Sequence, residues 1–365
     1  MHITHTDIFR FSIRMEPFVI ATGTMHFAQN VFIRIYTSAG GYGVGECSAF
    51  PMIVGETQDT CLVMAREFAK MIKGKNPLDI SARLNDLDSV AAHNPTIKSA
   101  FDMAFYDLAA KQAQQPLYAF LGGEKRAIET DMTIGIGTPE QMAESAVKHE
   151  QAGATVLKIK LGKSIANDLD RLRTIRQAVD PAMKIRVDAN QGWSFEDALH
   201  ALRAMEPLNI QFCEQPMRTW YDDLLPELCA QSPIPLMADE SCYNHHDARK
   251  LIKAGACHSV NIKFAKSGGI AEASRIHDEA SKANIPCMIG SMLESRLALT
   301  ANVHFAYASP NVQYFDLDTC LLGQLEDPIT GGVVYNGFFL YLADAIGIGA
   351  DVEEHFLEKC ESWRV

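Results

Sequence analysis

Residues 184–241 read KIRVDANQGWSFEDALHALRAMEPLNIQFCEQPMRTWYDDLLPELCAQSPIPLMADES and contain three short apolar segments, each of which runs into an acidic residue. The segments cover residues 184–188, 210–213 and 235–238, and a helical pattern at 195–205 separates the first two. Short strands that alternate with helices are typical of βα units, in which consecutive strands lie parallel. This stretch therefore predicts an α/β fold.

The same alternation continues on both sides of this stretch. Further helical patterns lie at 168–179 and 269–283. The segments predicted as strands number eight: 128–135, 155–160, 184–188, 210–213, 235–238, 258–262, 286–290 and 312–315. Eight parallel strands favour a closed barrel over an open doubly wound sheet. The glycine pattern of a dinucleotide-binding fold, G-x-G-x-x-G after a strand, does not occur in the sequence.

The segments that flank the barrel region have a different pattern. The chain begins with strand-like sequence around residues 30–36. Helical patterns then cover 57–72, 79–87 and 97–121. Strands followed by a run of helices indicate an α+β domain. We therefore divide the chain into an α+β domain at 1–125, a barrel at 126–325 and a C-terminal segment at 326–365 that is expected to pack on the first domain.

The composition of the 365-residue chain limits the partners that it can bind. A net charge of −12 argues against nucleic acid and anionic membranes, because both require a basic surface. The sequence has no apolar run of the length that a signal peptide or a membrane span needs. Its nine cysteines are scattered without a C-x-x-C pair, as in reduced cytoplasmic proteins. We therefore expect a cytoplasmic protein whose partner is a small molecule.

Acidic residues end three consecutive strands in the middle of the barrel, and these residues are Asp188, Glu214 and Asp239. In a βα barrel the C-terminal ends of the strands surround the active site, so the three carboxylates would converge and repel one another. A hard divalent cation resolves this repulsion, and oxygen-only ligands favour Mg²⁺, or alternatively Mn²⁺, over zinc. An acidic residue can also simply end a strand, but seven consecutive charged strand ends indicate a shared function.

Three lysines lie at strand ends of the same barrel. Lys158 and Lys160 are two residues apart, so both side chains point into the barrel mouth. Lys263 ends the sixth strand, on the far side of the ring. A lysine that is crowded by a metal ion and by another lysine has a lowered pKa and can act as a base. Two lysines on opposite faces of a carbon next to a carboxylate could therefore invert that stereocentre by moving its proton.

The motifs around these residues occur in a fixed order: Lys158-x-Lys160, Asp188-Ala189-Asn190, Glu214-Gln215-Pro216, Asp239-Glu240-Ser241 and Asn261-x-Lys263. In this order they resemble the signature of the enolase superfamily, muconate-lactonizing-enzyme subgroup, over essentially the whole chain. The resemblance implies a modified TIM barrel of the (β/α)7β type, with an N-terminal α+β capping domain that the C-terminal tail completes. It also implies that the three carboxylates bind one Mg²⁺ per subunit. Lys160 and Lys263 would then be the opposed acid–base pair, with Lys158 as an electrostatic aid.

Two further acidic residues, Asp316 and Asp318, end the eighth strand, and their side chains project to one face. An Asp-x-Asp at this position is similar to the dipeptide epimerases of the subgroup, in which the pair binds the free α-ammonium group of the substrate. Muconate cycloisomerases and N-acylamino acid racemases have no such group to hold. Together with o-succinylbenzoate synthases, they remain the alternative functions. A barrel that merely binds an acidic or peptide ligand would not need two opposed lysines.

The resemblance places side-chain specificity in two loops of the capping domain, at about 17–29 and 50–57. These loops are mainly apolar, and Gly23 stands where epimerases that act on Ala-Glu carry an arginine. We therefore expect small or hydrophobic dipeptides, such as Ala-Ala or Ala-Xaa. The additional residues expected at the substrate are Thr133, Ser291, Met292, Thr24, His26 and Ile53. The resemblance also implies a homo-oligomer.

Overall fold

The computed structural model of the chain describes residues 1–21, 23–162 and 164–365. It begins with an antiparallel sheet on which a set of helices packs. The strands are β1 (Ile3–Ile20), β2 (Gly23–Thr37) and β3 (Tyr42–Ser48). The helices are α1 (Pro51–Val54), α2 (Gln58–Ile72), α3 (Ile80–Val90), α4 (Pro95–Gln112) and α5 (Leu117–Phe120).

The long helix α4 packs directly on β3, and two glycines permit this close approach. A Cβ atom at Gly43 would lie 2.2 Å from the carbonyl oxygen of Ala104. A Cβ atom at Gly45 would lie only 1.9 Å from the carbonyl oxygen of Ala100. Any larger residue at either glycine would therefore push the helix off the sheet.

The single helix predicted over 97–121 is wrong, because α4 ends at Gln112 and a new helix begins at Leu117. Between them, Gln114 has a φ of 54°, which a right-handed helix cannot contain. Pro116 follows and has no backbone N–H group with which to continue the helical hydrogen bonds. The apolar spacing continues across this break, which is why the sequence pattern did not reveal it.

The barrel follows, and all eight predicted strands are present. They are β4 (Met132–Ile134), β5 (Val156–Lys160), β6 (Lys184–Asp188), β7 (Ile210–Glu214), β8 (Leu236–Ala238), β9 (Ser259–Ile262), β10 (Cys287–Gly290) and β11 (Val312–Asp316). The helices between and after them are α6 (Pro139–Gln151), α7 (Ile165–Ala178), α8 (Phe195–Met205), α9 (Leu225–Gln231), α10 (His245–Ala254), α11 (Phe264–Ser267), α12 (Ile270–Lys282) and α13 (Arg296–Ala308). Short 3-10 helices cover Glu206–Leu208, Thr219–Leu224 and Thr319–Leu321.

The eight barrel strands are parallel and lie in the order of the sequence, with β4 and β11 at the two ends of the sheet. These two ends meet through hydrogen bonds outside the regular ladder. The backbone N–H of Asp131 donates to the carbonyl of Phe315 at 3.1 Å, and that of Leu317 donates to the Thr130 hydroxyl at 2.8 Å. The sheet is therefore a nearly closed barrel, which confirms the predicted fold class.

The C-terminal segment returns to both preceding parts of the chain. Its elements are β12 (Ile329–Gly331), β13 (Val334–Asn336), β14 (Phe339–Tyr341), β15 (Ala350–Val352), α14 (Glu354–Leu357) and β16 (Ser362–Arg364). β16 pairs with β1, and Arg364 binds Asp7 through two hydrogen bonds of 2.7 Å. Around β14, Leu340 donates to the carbonyl of Ile128 just before the first barrel strand. The tail thus completes the first sheet, as predicted, and also contacts the barrel entrance.

The two predicted specificity loops are regular structure. Residues 17–29 continue β1 and β2 as a hairpin, with Thr22 outside the described residues, and 50–57 contain the one-turn helix α1. The hairpin tip lies over the C-terminal end of β4, because Ile136 donates to the carbonyl of Val19 at 3.0 Å. The capping domain therefore covers the barrel mouth. Among the described residues, no helix combines the length and the apolar character needed to cross a membrane.

Candidate active site

Asp188, Glu214 and Asp239 lie at the C-terminal ends of three adjacent strands, and all three are completely buried. Asp188 and Glu214 are direct partners in the register of β6 and β7, and Asp239 follows β8. The Gln215 side chain fixes the last of them, since its Oε1 accepts the backbone N–H groups of Asp239 and Ser241 at 3.0 and 3.1 Å. The strand ends therefore present the three predicted metal ligands on one side of the barrel mouth.

The three predicted lysines surround this carboxylate group. Lys160 Nζ donates to Asp188 Oδ2 at 2.6 Å, whereas Lys263 Nζ donates to Asp239 Oδ2 at 3.0 Å. Glu214 lies on the strand between these two carboxylates, so Lys160 and Lys263 approach the group from opposite sides. Lys158 Nζ lies below them, 2.6 Å from Glu214 Oε2 and 3.3 Å from Asp188 Oδ2.

The carboxylates determine the protonation of these lysines. Burial lowers the pKa of Lys263, but attraction by Asp239 outweighs it, and the pKa is raised above its ordinary value. Burial likewise lowers the pKa of Lys158, and attraction by Asp316 and Glu214 raises it well above the ordinary value. The predicted lowering of the pKa depends on a bound metal ion and stays a prediction. A cation that shared the carboxylate charge would weaken the attraction that raises the pKa.

The donor atoms of the carboxylate group fit a divalent cation. Glu214 Oε2 and Asp239 Oδ1 are buried and lie 2.6 and 2.5 Å from the ammonium groups of Lys158 and Lys266, so these oxygens are paired with positive charge. Burial, together with repulsion by Asp188, raises the pKa of Glu214 to about 7. Buried carboxylate oxygens in this state are satisfied by a cation, and an all-oxygen set suits Mg²⁺.

Lys266 is a fourth lysine at this site, which the sequence analysis did not identify. Its buried ammonium group donates to the backbone carbonyls of Asp239, Cys242 and Asn261 at 2.5, 3.1 and 3.0 Å. It thereby ties the ends of β8 and β9 together behind Asp239. Because Lys266 lies in the short helix α11 rather than at a strand end, the strand-end pattern could not find it.

Asp316 and Asp318 form a second acidic group beside the first. Asp316 Oδ2 accepts the Lys158 ammonium group at 2.7 Å, and Asp318 Oδ2 accepts the backbone N–H of Thr133 at 2.6 Å. Burial and repulsion by Asp316 raise the pKa of Asp318 to about 7. A positive charge placed beside Asp318 would favour its ionised form and so offset this repulsion.

Asp131, which the sequence analysis also missed, belongs to the second acidic group. One carboxylate oxygen from each of Asp131, Asp316 and Asp318 lies within 4.8 Å of the other two. Asp131 Oδ2 accepts Arg186 Nη1 at 2.7 Å, inside the barrel. Neither Asp131, which precedes a strand, nor Arg186, which lies within one, has a distinctive sequence pattern. Their contact is visible only in the closed barrel.

The remaining barrel residues predicted at the substrate support the end of β11. Ser291 Oγ donates to the backbone carbonyl of Asp316 at 3.0 Å and contacts the Thr319 hydroxyl at 2.7 Å. Met292 is buried next to it, and the backbone of Thr133 holds Asp318. These three residues therefore surround the Asp316–Asp318 pair, and their contact with a substrate stays a prediction.

The predicted capping-domain residues differ in their placement. Thr24 and His26 are exposed on β2, on the opposite face from the buried Met25. Ile53 is tied to the barrel, because its carbonyl accepts the Tyr243 hydroxyl at 2.6 Å. Two apolar side chains of this region have close neighbours: Phe18 lies next to Gly135 at the end of β4, and the exposed Met52 lies next to Gly23 in the hairpin.

Comparison with known proteins extends this picture to the whole chain. Residues 3–122 match the N-terminal domain of the mandelate racemase / muconate lactonizing enzyme family, and residues 141–356 match the enolase C-terminal domain-like family. The D-Ala-D/L-Ala epimerase of Cytophaga hutchinsonii is 42% identical over 364 residues, which are 99% of each chain. The hydrophobic dipeptide epimerase of Enterococcus faecalis is 39% identical over 92% of this chain and 95% of its own.

A solved structure agrees with the sequence comparison. The crystal structure of the Cytophaga hutchinsonii dipeptide epimerase, complexed with Mg and the dipeptide D-Ala-L-Val, superposes with a TM-score of 0.98. It is 41% identical in sequence, and the match covers 100% of both chains. With both domains matched and the charged strand ends in place, the chain belongs to the enolase superfamily, in the mandelate racemase and muconate lactonizing enzyme family.

Proposed function

We propose that this chain is a Mg²⁺-dependent dipeptide epimerase, an isomerase that moves the α-proton of the C-terminal residue of its substrate. The single observation that carries the proposal is that Lys160 and Lys263 approach one buried carboxylate group from opposite sides. A carbon held between two such lysines can lose its proton to one and regain a proton from the other, which inverts its configuration.

The residues of the site have different roles in this reaction. Asp188, Glu214 and Asp239 would hold the Mg²⁺ ion, which supplies stabilisation of the negative charge that develops on the substrate carboxylate. Lys160 and Lys263 take up and return the α-proton at their Nζ atoms. Lys158, buried beneath them, adds a fixed positive charge close to the same carboxylate.

The substrate class follows from the second acidic group and the capping domain. Asp316 and Asp318 bind the free ammonium group of a dipeptide, at the far end from the reacting carbon. The apolar side chains of Phe18, next to Gly135 at the end of β4, and of Met52, next to Gly23 in the hairpin, favour small or hydrophobic residues at the C-terminal position. The complex of the Cytophaga relative with Mg and D-Ala-L-Val supports both the metal and the substrate class.

A library of L,L-dipeptides incubated with the protein and Mg²⁺ in deuterium oxide tests this function directly. We expect Ala-Xaa dipeptides with apolar Xaa to gain one dalton in the mass spectrum, because the returned proton comes from solvent. Ala-Glu and N-acylated amino acids serve as comparisons. Label in N-succinyl amino acids, with none in any dipeptide, would contradict the role of Asp316 and Asp318 and favour an N-acylamino acid racemase.

Lowering the pH is expected to weaken dipeptide binding. Since the pKa of Asp318 is raised to about 7 by burial and by Asp316, a falling pH adds a proton to it and removes the negative charge that attracts the ammonium group. The KM for L-Ala-L-Ala should therefore rise as the pH falls through about 7. In Asp318→Asn, KM should be high throughout and nearly independent of pH. A KM in the unaltered protein that stays constant over this range would contradict the assignment.

Replacing Gly23 with arginine is expected to shift specificity toward acidic dipeptides. The position tolerates a side chain, since a Cβ atom there would meet only the flexible end of Met52. An arginine could pair with a glutamate side chain, so kcat/KM for L-Ala-L-Glu relative to L-Ala-L-Val should rise by about tenfold or more. Gly23→Gln is the matched control of similar length without charge. Equal shifts in both variants would show that size, and not charge, sets the preference.

A further inference from the structure

Asp131 lies at the second acidic group but has no role in the reaction described so far. It directly precedes β4 and is completely buried. One of its carboxylate oxygens lies within 4.8 Å of an oxygen of Asp316 and of Asp318. Three buried carboxylates therefore share one small region of the barrel.

The positive charges around this region do not balance the three carboxylates. Arg186 Nη1 donates to Asp131 Oδ2 at 2.7 Å, and Lys158 donates to Asp316 Oδ2 at the same distance. Lys158 is shared with the first carboxylate group, and Asp318 has the neutral N–H of Thr133. The second oxygen of Asp131, Oδ1, is buried and finds no hydrogen-bond donor in the described part of the chain.

Like charges confined at this depth repel strongly, because the surroundings screen them poorly. Burial and repulsion by Asp316 raise the pKa of Asp131, whereas the Arg186 guanidinium group opposes that rise, and a bound ammonium group would favour the ionised carboxylate further. Such an arrangement costs stability in the free protein and is typical of sites that a ligand completes. Arg186 and Lys158 stand beside two of the three carboxylates and offset part of their negative charge. A singly charged group with N–H donors, such as an ammonium group, would balance the remainder.

We propose that Asp131 is a positioning residue of the ammonium site, which supplies the third negative charge behind Asp316 and Asp318. Its position is fixed by Arg186, whose Nε donates to Gln211 Oε1 at 2.8 Å. The Arg186 guanidinium group also lies over the rings of Phe212 and Tyr314, at 5.3 and 5.1 Å. The proposal rests on the dipeptide epimerase function and extends it, because it names Asp131 as a residue that strengthens binding of the substrate's free amine.

The test compares Asp131→Asn with the unaltered protein. Asparagine keeps the size of the side chain and an oxygen for Arg186, but it removes the charge. We expect KM for L-Ala-L-Ala to rise by about tenfold with little change in kcat, since the reacting carbon lies elsewhere. The thermal midpoint without substrate should fall, because the buried Arg186 loses its charged partner. A residue with only a structural role would raise KM equally for peptides with and without the free amine.

Two controls test whether the effect is specific to the charge of Asp131 and to the ammonium group of the substrate. Glu129→Gln removes the same charge two residues away, where Glu129 contacts Thr155 outside the barrel centre, and should leave KM unchanged. For N-acetyl-Ala-Ala, which lacks the ammonium group, KM should be the same in Asp131→Asn and in the unaltered protein. If the asparagine variant does not fold, Asp131→Ser removes the same charge for the same comparison.

An unchanged KM for L-Ala-L-Ala in Asp131→Asn, or an equal rise for the acetylated peptide, would overturn the inference while the epimerase function stands. An unaltered protein that neither binds nor labels any dipeptide would overturn the function itself, and the inference with it. Isothermal titration of L-Ala-L-Ala into both proteins measures binding independently of turnover.

Discussion

Replacement of Lys263 with methionine is expected to reduce epimerisation by about 10³-fold or more, because the substitution removes one of the two groups that handle the α-proton. Lys160→Met should have an equally large effect. The two variants should differ in one respect. Each should still exchange the α-proton of the single epimer whose proton faces the remaining lysine, and the epimer should be opposite in the two variants. Deuterium incorporation, read separately for L,L- and L,D-dipeptides, measures this asymmetry.

The structure indicates that these variants will fold. Asp239 keeps Lys266 at 2.5 Å when Lys263 is absent, so no buried carboxylate loses its last positive partner. Lys148→Met, at an exposed position on α6, is the matched control and should retain full activity. If both active-site variants epimerise at the rate of the control, the assignment of two opposed bases is wrong.

Removal of the divalent cation is expected to have the second large effect, a loss of about 10³-fold or more in kcat/KM with the chelator EDTA. Addition of Mg²⁺ should restore activity. Glu214→Gln should imitate the loss, because it replaces the middle carboxylate of the three with a neutral amide of the same shape. In the unaltered protein, Mg²⁺ should also raise the thermal midpoint by binding only the folded state.

The thermal measurement distinguishes metal binding from chemistry. Glu214→Gln should show a much smaller Mg²⁺-dependent rise in the midpoint than the unaltered protein, and this readout needs no substrate. Mn²⁺ in place of Mg²⁺ tests how strictly the site selects its ion. Full activity in EDTA, together with an unchanged midpoint on addition of Mg²⁺, would contradict a metal site at these carboxylates.

The barrel and its charged rim could be predicted because each depends on local sequence. A short apolar strand that ends in Asp or Glu is visible in a few residues, and the alternation of side chains places Lys158 and Lys160 on one face. The order of the strands then follows from chain connectivity, since parallel βα units lie next to one another. For these reasons the sequence alone predicts that Asp188, Glu214 and Asp239 lie at adjacent strand ends.

The features that escaped prediction depend on contacts between distant segments. Asp131 and Arg186 meet only when the barrel closes, and neither differs from a common strand-end charge in sequence. Lys266 lies in a one-turn helix, so its burial behind Asp239 has no periodic signal. The segment at 17–29 was predicted as a loop from the family resemblance, whereas in the structure it continues β1 and β2, with Thr24 and His26 exposed on either side of the buried Met25.

The pairing of β16 with β1 has a consequence for synthesis on the ribosome. Asp7 and Arg364 are partners across 357 positions, so this edge of the first sheet stays open until residue 364 has been translated. Contacts of such long range slow the final step of folding, because the intervening chain must already be in place. The capping domain, although it is made first, should therefore reach its protease-resistant form last, after the barrel has assembled beneath it.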